Sequence, residues 1–157
     1  MEPKVGLPPS ELQQRQAVID EAMSWQRTPH HNGARIKGVG CDCGQFPLAV
    51  YEACGLIPST EPDRYSPQFH LNRTEEWYLG MCQRLGKELP SGTIPQKADF
   101  VLYRVGRVFS HGAIVIEWPT IIHSYVKVGV CLDLGDKGWM AQNKDGSPRP
   151  RKHFTLW

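Results

Sequence analysis

The sequence has no apolar run close to the ~18 residues that a membrane span requires, and this absence predicts that the chain does not insert into a membrane. It also has little net charge: 18 Lys and Arg side chains stand against 16 Asp and Glu side chains, which leaves +2. So small an excess gives no reason to expect binding to nucleic acid. The first residues, MEPKVGLPPS, lack the charged-then-apolar order of a signal peptide, so we expect synthesis in a cytoplasm and no export by that route.

The sequence lacks an even set of cysteines, because the chain has 5. In a chain without a secretion signal, this count argues against a framework of disulfide bonds. Cys41 and Cys43 are also poorly placed to pair with each other, since so small a ring would strain the disulfide. Two roles stay open for the pair at this point: half of a metal site, or the setting of a reactive thiolate.

Helical patterns occupy the first half of the chain. Ser10 and Gln13 have the spacing of a capping box, which predicts that the first helix begins there, after a short arm of about 1–9. A second helix is expected from near Cys43, and a third over about 74–85.

Beyond Pro95 the pattern changes from helical to alternating. Four strands are expected, at 100–105, 111–116, 120–126 and 129–134, and HFTLW at the carboxyl end is a candidate fifth. Helices followed by an antiparallel sheet indicate the α+β class, with the amino-terminal helices packed on the sheet. A chain of 157 residues is most simply one domain with a real core, so we expect a single domain over 1–157.

Asp42 and Cys43 stand at the predicted start of the second helix. Asp is a good N-cap, which would place Cys43 in the first turn, where unpaired N–H groups and the helix dipole favour a thiolate. The same N–H groups can receive a developing oxyanion. The alternative is that Cys43 is a small buried hydrophobe, as many helical cysteines are.

His111 and His123 lie on two consecutive predicted strands, with residue 117 at their midpoint. A loop of three or five residues centred there would set them directly opposite on one face, with Cβ atoms roughly 5 Å apart. An even loop would put them on opposite faces. In the favourable register one imidazole can act as general base to a cysteine while the other orients it. The alternative is two unrelated strand histidines.

Four stretches together resemble the NlpC/P60 cysteine peptidases: WQRTPH, GVGCDCGQFPLAVYEACGLIP, KADFVLYRVG and SHGAIVIEWPTIIHSY. These are papain-like enzymes that cut the peptide stems of bacterial cell walls. The resemblance implies a papain-like fold, with Cys43 as the nucleophile, His111 as the base and His123 as the orienting residue. It implies no metal and no organic cofactor.

The same resemblance implies a substrate site. Asp42 would help to hold the free amine of the substrate, and the bond cut would join D-glutamate to the diamino acid of the stem. The family's Thr-Pro-Tyr is Thr-Pro-His here, so His30 stands where the tyrosine would contact substrate. Two further departures are Gly44-Gln45, where the family often has Ser-Gly, and Ala98-Asp99, where it has Gly-Asp.

Within the family, the chain most resembles short single-domain members encoded by tailed bacteriophages and prophages. That resemblance implies a component of the phage tail tip, located in the virion, whose partners are bacterial peptidoglycan and other tail-tip proteins. The arm 1–9 and the proline-rich loop 58–67 are the candidate contact regions.

Two alternative functions stay open. One is a structural tail-tip protein that keeps the fold with little hydrolysis. The other is a zinc-binding protein that uses Cys41 and Cys43 with His30 and His31, since thiolates and imidazoles suit zinc.

Overall fold

A computed structural model describes residues 9–60 and 76–157. Its elements, in chain order, are α1 (Glu11–Ser24), β1 (Arg35–Ile36), β2 (Gly40–Cys41), α2 (Gln45–Ala53), α3 (Trp77–Leu85), β3 (Lys87–Glu88), β4 (Phe100–Val105), β5 (Val108–Glu117), β6 (Thr120–Tyr125), β7 (Gly129–Leu134) and β8 (Arg151–Thr155). The arm at 1–8, the start of the third predicted helix at 74–75 and most of the proline-rich loop lie outside the described residues.

Six of the strands form one antiparallel sheet in the order β3-β8-β4-β5-β6-β7, and β1 and β2 form a separate short pair. The α+β class with helices on an antiparallel sheet is therefore confirmed. One face of the sheet packs on the helices through buried apolar side chains, among them Val18, Ala22, Phe46, Val50, Leu102, Ile114 and Ile122. A smaller core on the other face joins Val101, Tyr103, Ala113, Val115 and Ile121 to Ala141.

The ends of several elements differ from the sequence predictions. The capping box of Ser10 and Gln13 is present and begins α1, as expected. The last strand is β8, Arg151–Thr155, two residues earlier than predicted, because its backbone pairs with both β4 and β3. β1, β2 and β3 are short pairings without an alternating pattern, which is why the sequence did not indicate them.

Arg15 fixes α1 to the end of the sheet. Its Nη1 lies 2.9 Å from Asp99 Oδ1 and donates a 2.6 Å hydrogen bond to the Lys97 carbonyl. Arg15 and Asp99 are both buried, so each charge depends on the other. This contact fixes the position of α1 relative to the start of β4.

No helix in the part of the chain that the structure describes combines the length and the apolar character that a membrane span needs.

Candidate active site

Asp42 organises the turn that carries Cys43. Its Oδ1 accepts hydrogen bonds from the N–H groups of Gly44 (3.0 Å) and Gln45 (2.8 Å), and its carbonyl accepts from Phe46 at 3.0 Å. Its Oδ2 accepts from the Gly33 N–H at 2.7 Å. Asp42 therefore stabilises the turn that leads into α2. The helix begins at Gln45 with Gly44 as its N-cap, so the prediction that Asp42 is the N-cap and that Cys43 lies in the first turn is wrong, and Cys43 lies in the turn before the helix.

Cys43 enters the sheet where two strands separate. The pairing of β5 with β6 runs towards the active site only as far as Ile114 and Ile122. Beyond that point, Cys43 Sγ donates to the Ser110 carbonyl of β5 at 3.4 Å, while Ser124 Oγ of β6 donates to the Cys41 carbonyl at 3.1 Å. The segment 41–43 thus fills the gap between the two strands.

The position of the sulfur is defined by backbone on both sides of His111. Besides its contact with the Ser110 carbonyl, the Cys43 thiol lies close enough to the Gly112 N–H for that group to lower the pKa of the thiol. Tyr78 donates its hydroxyl proton to the Cys43 carbonyl at 2.8 Å and so holds the turn from the α3 side. The thiol and the candidate base are therefore brought together by strand β5 itself.

His111 and His123 are hydrogen-bonded to each other. His111 Nε2 lies 2.8 Å from His123 Nδ1, and the two ring planes are nearly perpendicular at 88°. Both residues are buried. The structure therefore joins the two sequence-predicted histidines on one face of the sheet.

The register between these histidines differs from the prediction. They are diagonal neighbours rather than directly opposite, because the β5–β6 pairing is shifted by two residues. The turn has two residues, 118–119, and an even turn alone would place the histidines on opposite faces. An irregularity between Val115 and Glu117 adds one residue to β5 and restores the common face.

Asp133 is the one acidic residue of the site that sequence reasoning missed. Its Oδ2 lies 3.4 Å from His123 Nε2, a buried nitrogen without a hydrogen-bond partner in the described part of the chain. The Asp133 carboxylate also accepts from the N–H groups of Leu134 (2.8 Å) and Trp139 (3.1 Å). The alternation of side chains along β7 could have located it. Cys131 pairs with His123, and Asp133, two residues further on, lies on the same face of the sheet.

The protonation state of Cys43 in the structure differs from the thiolate that the sequence predicts, because the pKa of its thiol is raised. Burial of the sulfur, and next the negative charge of Asp42, raise the pKa of the Cys43 thiol well above its ordinary range, and the backbone N–H groups of Gly112 and of Cys43 itself only partly offset them. Burial, followed by electrostatic interactions with His123, His30 and Arg149 that disfavour a second positive charge, holds the pKa of His111 well below 6.5. The resting pair is therefore a neutral thiol and a neutral imidazole.

His30 lies on the same side of the site. Its Nδ1 is 3.0 Å from Ser124 Oγ, and the single proton of that hydroxyl is given to the Cys41 carbonyl. His30 Nδ1 must therefore be the donor, which leaves a lone pair on Nε2 in the neutral ring. Burial lowers the pKa of His30, although the nearby Asp42 carboxylate opposes this shift.

Residues 9–60 and 76–157 contain no cluster of three or more His, Cys, Asp or Glu side chains arranged to hold a metal ion. Cys41, Cys43, His30 and His31 are therefore not arranged as the ligands of a zinc site in the described residues.

No protein-family model matches the sequence, and no curated protein matches it either. Solved structures share the fold. The NlpC/p60 domain of the peptidoglycan hydrolase SagA is 18% identical, with a TM-score of 0.58 over 88% of this chain and 96% of that chain. The peptidoglycan hydrolase RipB from Mycobacterium tuberculosis is 15% identical, with a TM-score of 0.58 over 97% of this chain and 73% of that chain.

An NlpC/P60 family protein from Bacillus cereus is 18% identical, with a TM-score of 0.59 over 93% of this chain, which spans only 40% of that protein. At these identities the likeness establishes the fold alone. The papain-like fold expected from the sequence is confirmed.

Proposed function

We propose that this chain is a cysteine peptidase of the NlpC/P60 type that hydrolyses the peptide stems of bacterial peptidoglycan. The observation that carries the proposal is the placement of the Cys43 thiol against the backbone on both sides of His111, whose ring is hydrogen-bonded to His123. A nucleophile, a base and an orienting group in that order constitute the working parts of a cysteine hydrolase. Two of the structures with the same fold are peptidoglycan hydrolases by name.

In this proposal the thiolate is formed only as the reaction proceeds. Because His111 Nε2 is engaged with His123, His111 Nδ1 is the nitrogen that accepts the Cys43 proton. The sulfur then attacks the scissile carbonyl, and His111 returns the proton to the leaving amine. Water, activated by the same imidazole, hydrolyses the resulting thioester.

The oxyanion is stabilised in this proposal by the N–H of Cys43. The amides of Gly44 and Gln45, which a free helix terminus would offer, already donate to Asp42. The Phe46 amide donates to the Asp42 carbonyl. The Cys43 amide precedes these three in the chain and belongs to the nucleophile itself. It is therefore placed where a developing negative charge needs a donor.

We further propose that His30 and Asp42 receive the free amine of the stem peptide. The His30 Nε2 lone pair is a suitable acceptor for an ammonium group, and the buried Asp42 carboxylate supplies negative charge nearby. Asp42 would attract the amine through its negative charge, because its carboxylate oxygens already accept hydrogen bonds from the backbone of residues 33, 44 and 45. The bond cut would be that between D-glutamate and the diamino acid.

The biological setting we propose is the tail tip of a bacteriophage, where the enzyme opens the cell wall locally together with other tail-tip proteins. The support for it is the sequence resemblance to short phage-encoded members of the family. Mass spectrometry of purified particles should find the chain in virions. Its absence from virions, with soluble enzyme abundant in lysates, would instead indicate a free lysis enzyme.

Digestion of purified peptidoglycan tests the enzymatic proposal directly. The protein should release stem-peptide fragments whose masses and new amino termini identify the bond cut. Fragments that end in D-glutamate would support the bond proposed here, and fragments cut elsewhere in the stem would move the specificity. No new amino terminus from wall material of several stem chemistries would favour the structural role instead.

A further inference from the structure

The second nitrogen of His123 raises a question that a Cys43–His111–His123 triad leaves unanswered. For His111 to accept a proton at Nδ1, its own proton must sit on Nε2, the nitrogen that faces His123 Nδ1 at 2.8 Å. His123 Nδ1 must then be an acceptor, and the neutral His123 ring must carry its proton on Nε2. If His123 adopted the other tautomer, the proton on its Nδ1 would force His111 to present Nε2 as the acceptor. His111 Nδ1 would then be protonated and unable to receive the Cys43 proton.

Asp133 stands where it can select between these tautomers. Its Oδ2 is 3.4 Å from His123 Nε2, and His123 is fully buried, so water does not stabilise either ring form. The carboxylate is held in place by the N–H groups of Leu134 and Trp139. The nearby His123 ring and these two amides outweigh the effect of partial burial, and the pKa of Asp133 is lowered. An ionised carboxylate accepts protons and donates none.

We propose that Asp133 is a positioning residue for the catalytic pair, acting through His123. It holds the His123 proton on Nε2, so that His123 Nδ1 accepts from His111 Nε2–H and leaves the His111 Nδ1 lone pair to the Cys43 thiol. When the thiol proton moves to His111 Nδ1, the carboxylate also stabilises the positive charge that develops on the two rings. The inference rests on the proposed function for its catalytic meaning, whereas the tautomer of His123 does not depend on any activity.

The tautomer can be read from the 15N chemical shifts of the histidine ring nitrogens, which separate protonated from unprotonated positions. In the native protein, the neutral His123 ring should show a protonated Nε2 and an unprotonated Nδ1. In Asp133→Asn, the side-chain amide can donate to Nε2, and the His123 proton should move to Nδ1. A native spectrum with the proton on His123 Nδ1 would overturn the proposal even if every variant failed to fold.

Kinetics supply the second readout, with Asp136→Asn as the matched control, because Asp136 is an exposed acid in the turn that follows β7. Asp133→Asn should lower kcat by about 10²-fold or more, towards the ~10⁴-fold loss seen when the orienting Asp of a serine-protease triad is replaced, with KM little changed. The control should keep native kcat and the native His123 spectrum. Full activity in Asp133→Asn together with unchanged ring shifts would contradict the proposal. If the native protein cleaves no peptidoglycan and yet shows the Asp133-dependent tautomer, the positioning role stands and the proposed substrate fails.

Discussion

Cys41 and Cys43 flank Asp42, and their side chains lie in different surroundings. Cys41 is fully buried and contributes its carbonyl to Ser124 and to the His31 N–H. Cys43 is half-buried, with its sulfur against strand β5. Cys43→Ala should abolish hydrolysis without unfolding the protein, because it removes the nucleophile alone. Assays of wall digestion and circular dichroism would measure the two effects.

Cys41→Ala is the control for that substitution. It should cost about 1 kcal/mol of stability, as small changes in a core do, and keep most activity, since the backbone bonds of residue 41 survive. If Cys41→Ala were inactive and Cys43→Ala active, the nucleophile would be misassigned.

The lowered pKa of His111 predicts how activity depends on pH. The base must be neutral to accept the Cys43 proton, and burial together with the electrostatic effect of neighbouring basic side chains keeps it neutral to well below pH 6.5. The plot of kcat/KM against pH should therefore stay level as pH falls through 6.5 and decline only at a more acidic pH. An acid limb at or above pH 6.5 would contradict this environment for His111.

The same shift predicts that acid destabilises the fold. Below pH 6.5 the unfolded chain binds a proton at residue 111 that the folded chain excludes. The free energy of unfolding should therefore fall as pH falls from 6.5 towards the lowered pKa of folded His111. Urea denaturation at several pH values would measure the fall, and His111→Asn should reduce it.

Single residues of the site differ in how readily they are predicted from sequence. Asp42, Cys43 and His111 belong to recognisable local patterns, and the structure brings all three together. Asp133 belongs to none, because its role depends on which strand pairs with β6 and in which register. The protonated state of the resting Cys43 was equally inaccessible, since it follows from burial of the sulfur rather than from the helix start.

Strand β5 carries His111 and contacts the Cys43 sulfur, so the site depends on it. Position 112 of this strand is too crowded for a side chain. A Cβ at Gly112 would overlap the rings of Phe100 and Tyr78. Tyr78 is the donor to the Cys43 carbonyl. Gly112→Ala should therefore destabilise the protein by about 1–3 kcal/mol and lower activity beyond the loss of folded protein.

Gly80 in α3 provides the matched control. A Cβ there would meet only the Arg84 guanidinium, at 3.6 Å, and alanine suits a helix better than glycine does. Gly80→Ala should raise stability by up to about 1 kcal/mol. Denaturant titration of both variants would check the pair, and equal effects would show that the crowding at Gly112 is unimportant.

Elements were predictable to the extent that their signals are local. The capping box located the start of α1, and alternation located the four central strands. The irregularity between Val115 and Glu117 left no such signal, because a bulge is set by how two strands meet. It nevertheless decides that His111 and His123 share a face, so the correct pairing was predicted with the wrong register.

Across the whole molecule, the buried ion pair of Arg15 and Asp99 joins α1 to the sheet. Arg15→Met should destabilise the fold by about 3 kcal/mol or more, because it leaves the Asp99 charge buried without its partner. Glu11, the other partner of Arg15, has a side chain that is 56% exposed. Glu11→Gln should therefore change stability by less than about 1 kcal/mol.

Thermal and urea denaturation would compare these two variants. Arg15→Met should keep its specific activity per folded molecule, because the hydrogen bonds of Arg15 go to Glu11, Lys97, Asp99 and Thr155 and to no residue of the candidate site. Equal losses from both variants would show that the exposed contact with Glu11 carries the stability instead.

Because segment 41–43 contacts both β5 and β6, the candidate site can form only when this part of the protein has folded. The nucleophile arrives from one part of the chain, while the base and its orienting residues arrive from three strands that follow much later. Before the sheet has formed, the proposed nucleophile and its base are not held together, so the proposed reaction cannot take place. Loss of the proposed activity in denaturant should therefore coincide with unfolding of the protein, so that the cysteine and the histidines form no reactive site during synthesis or whenever the fold is lost.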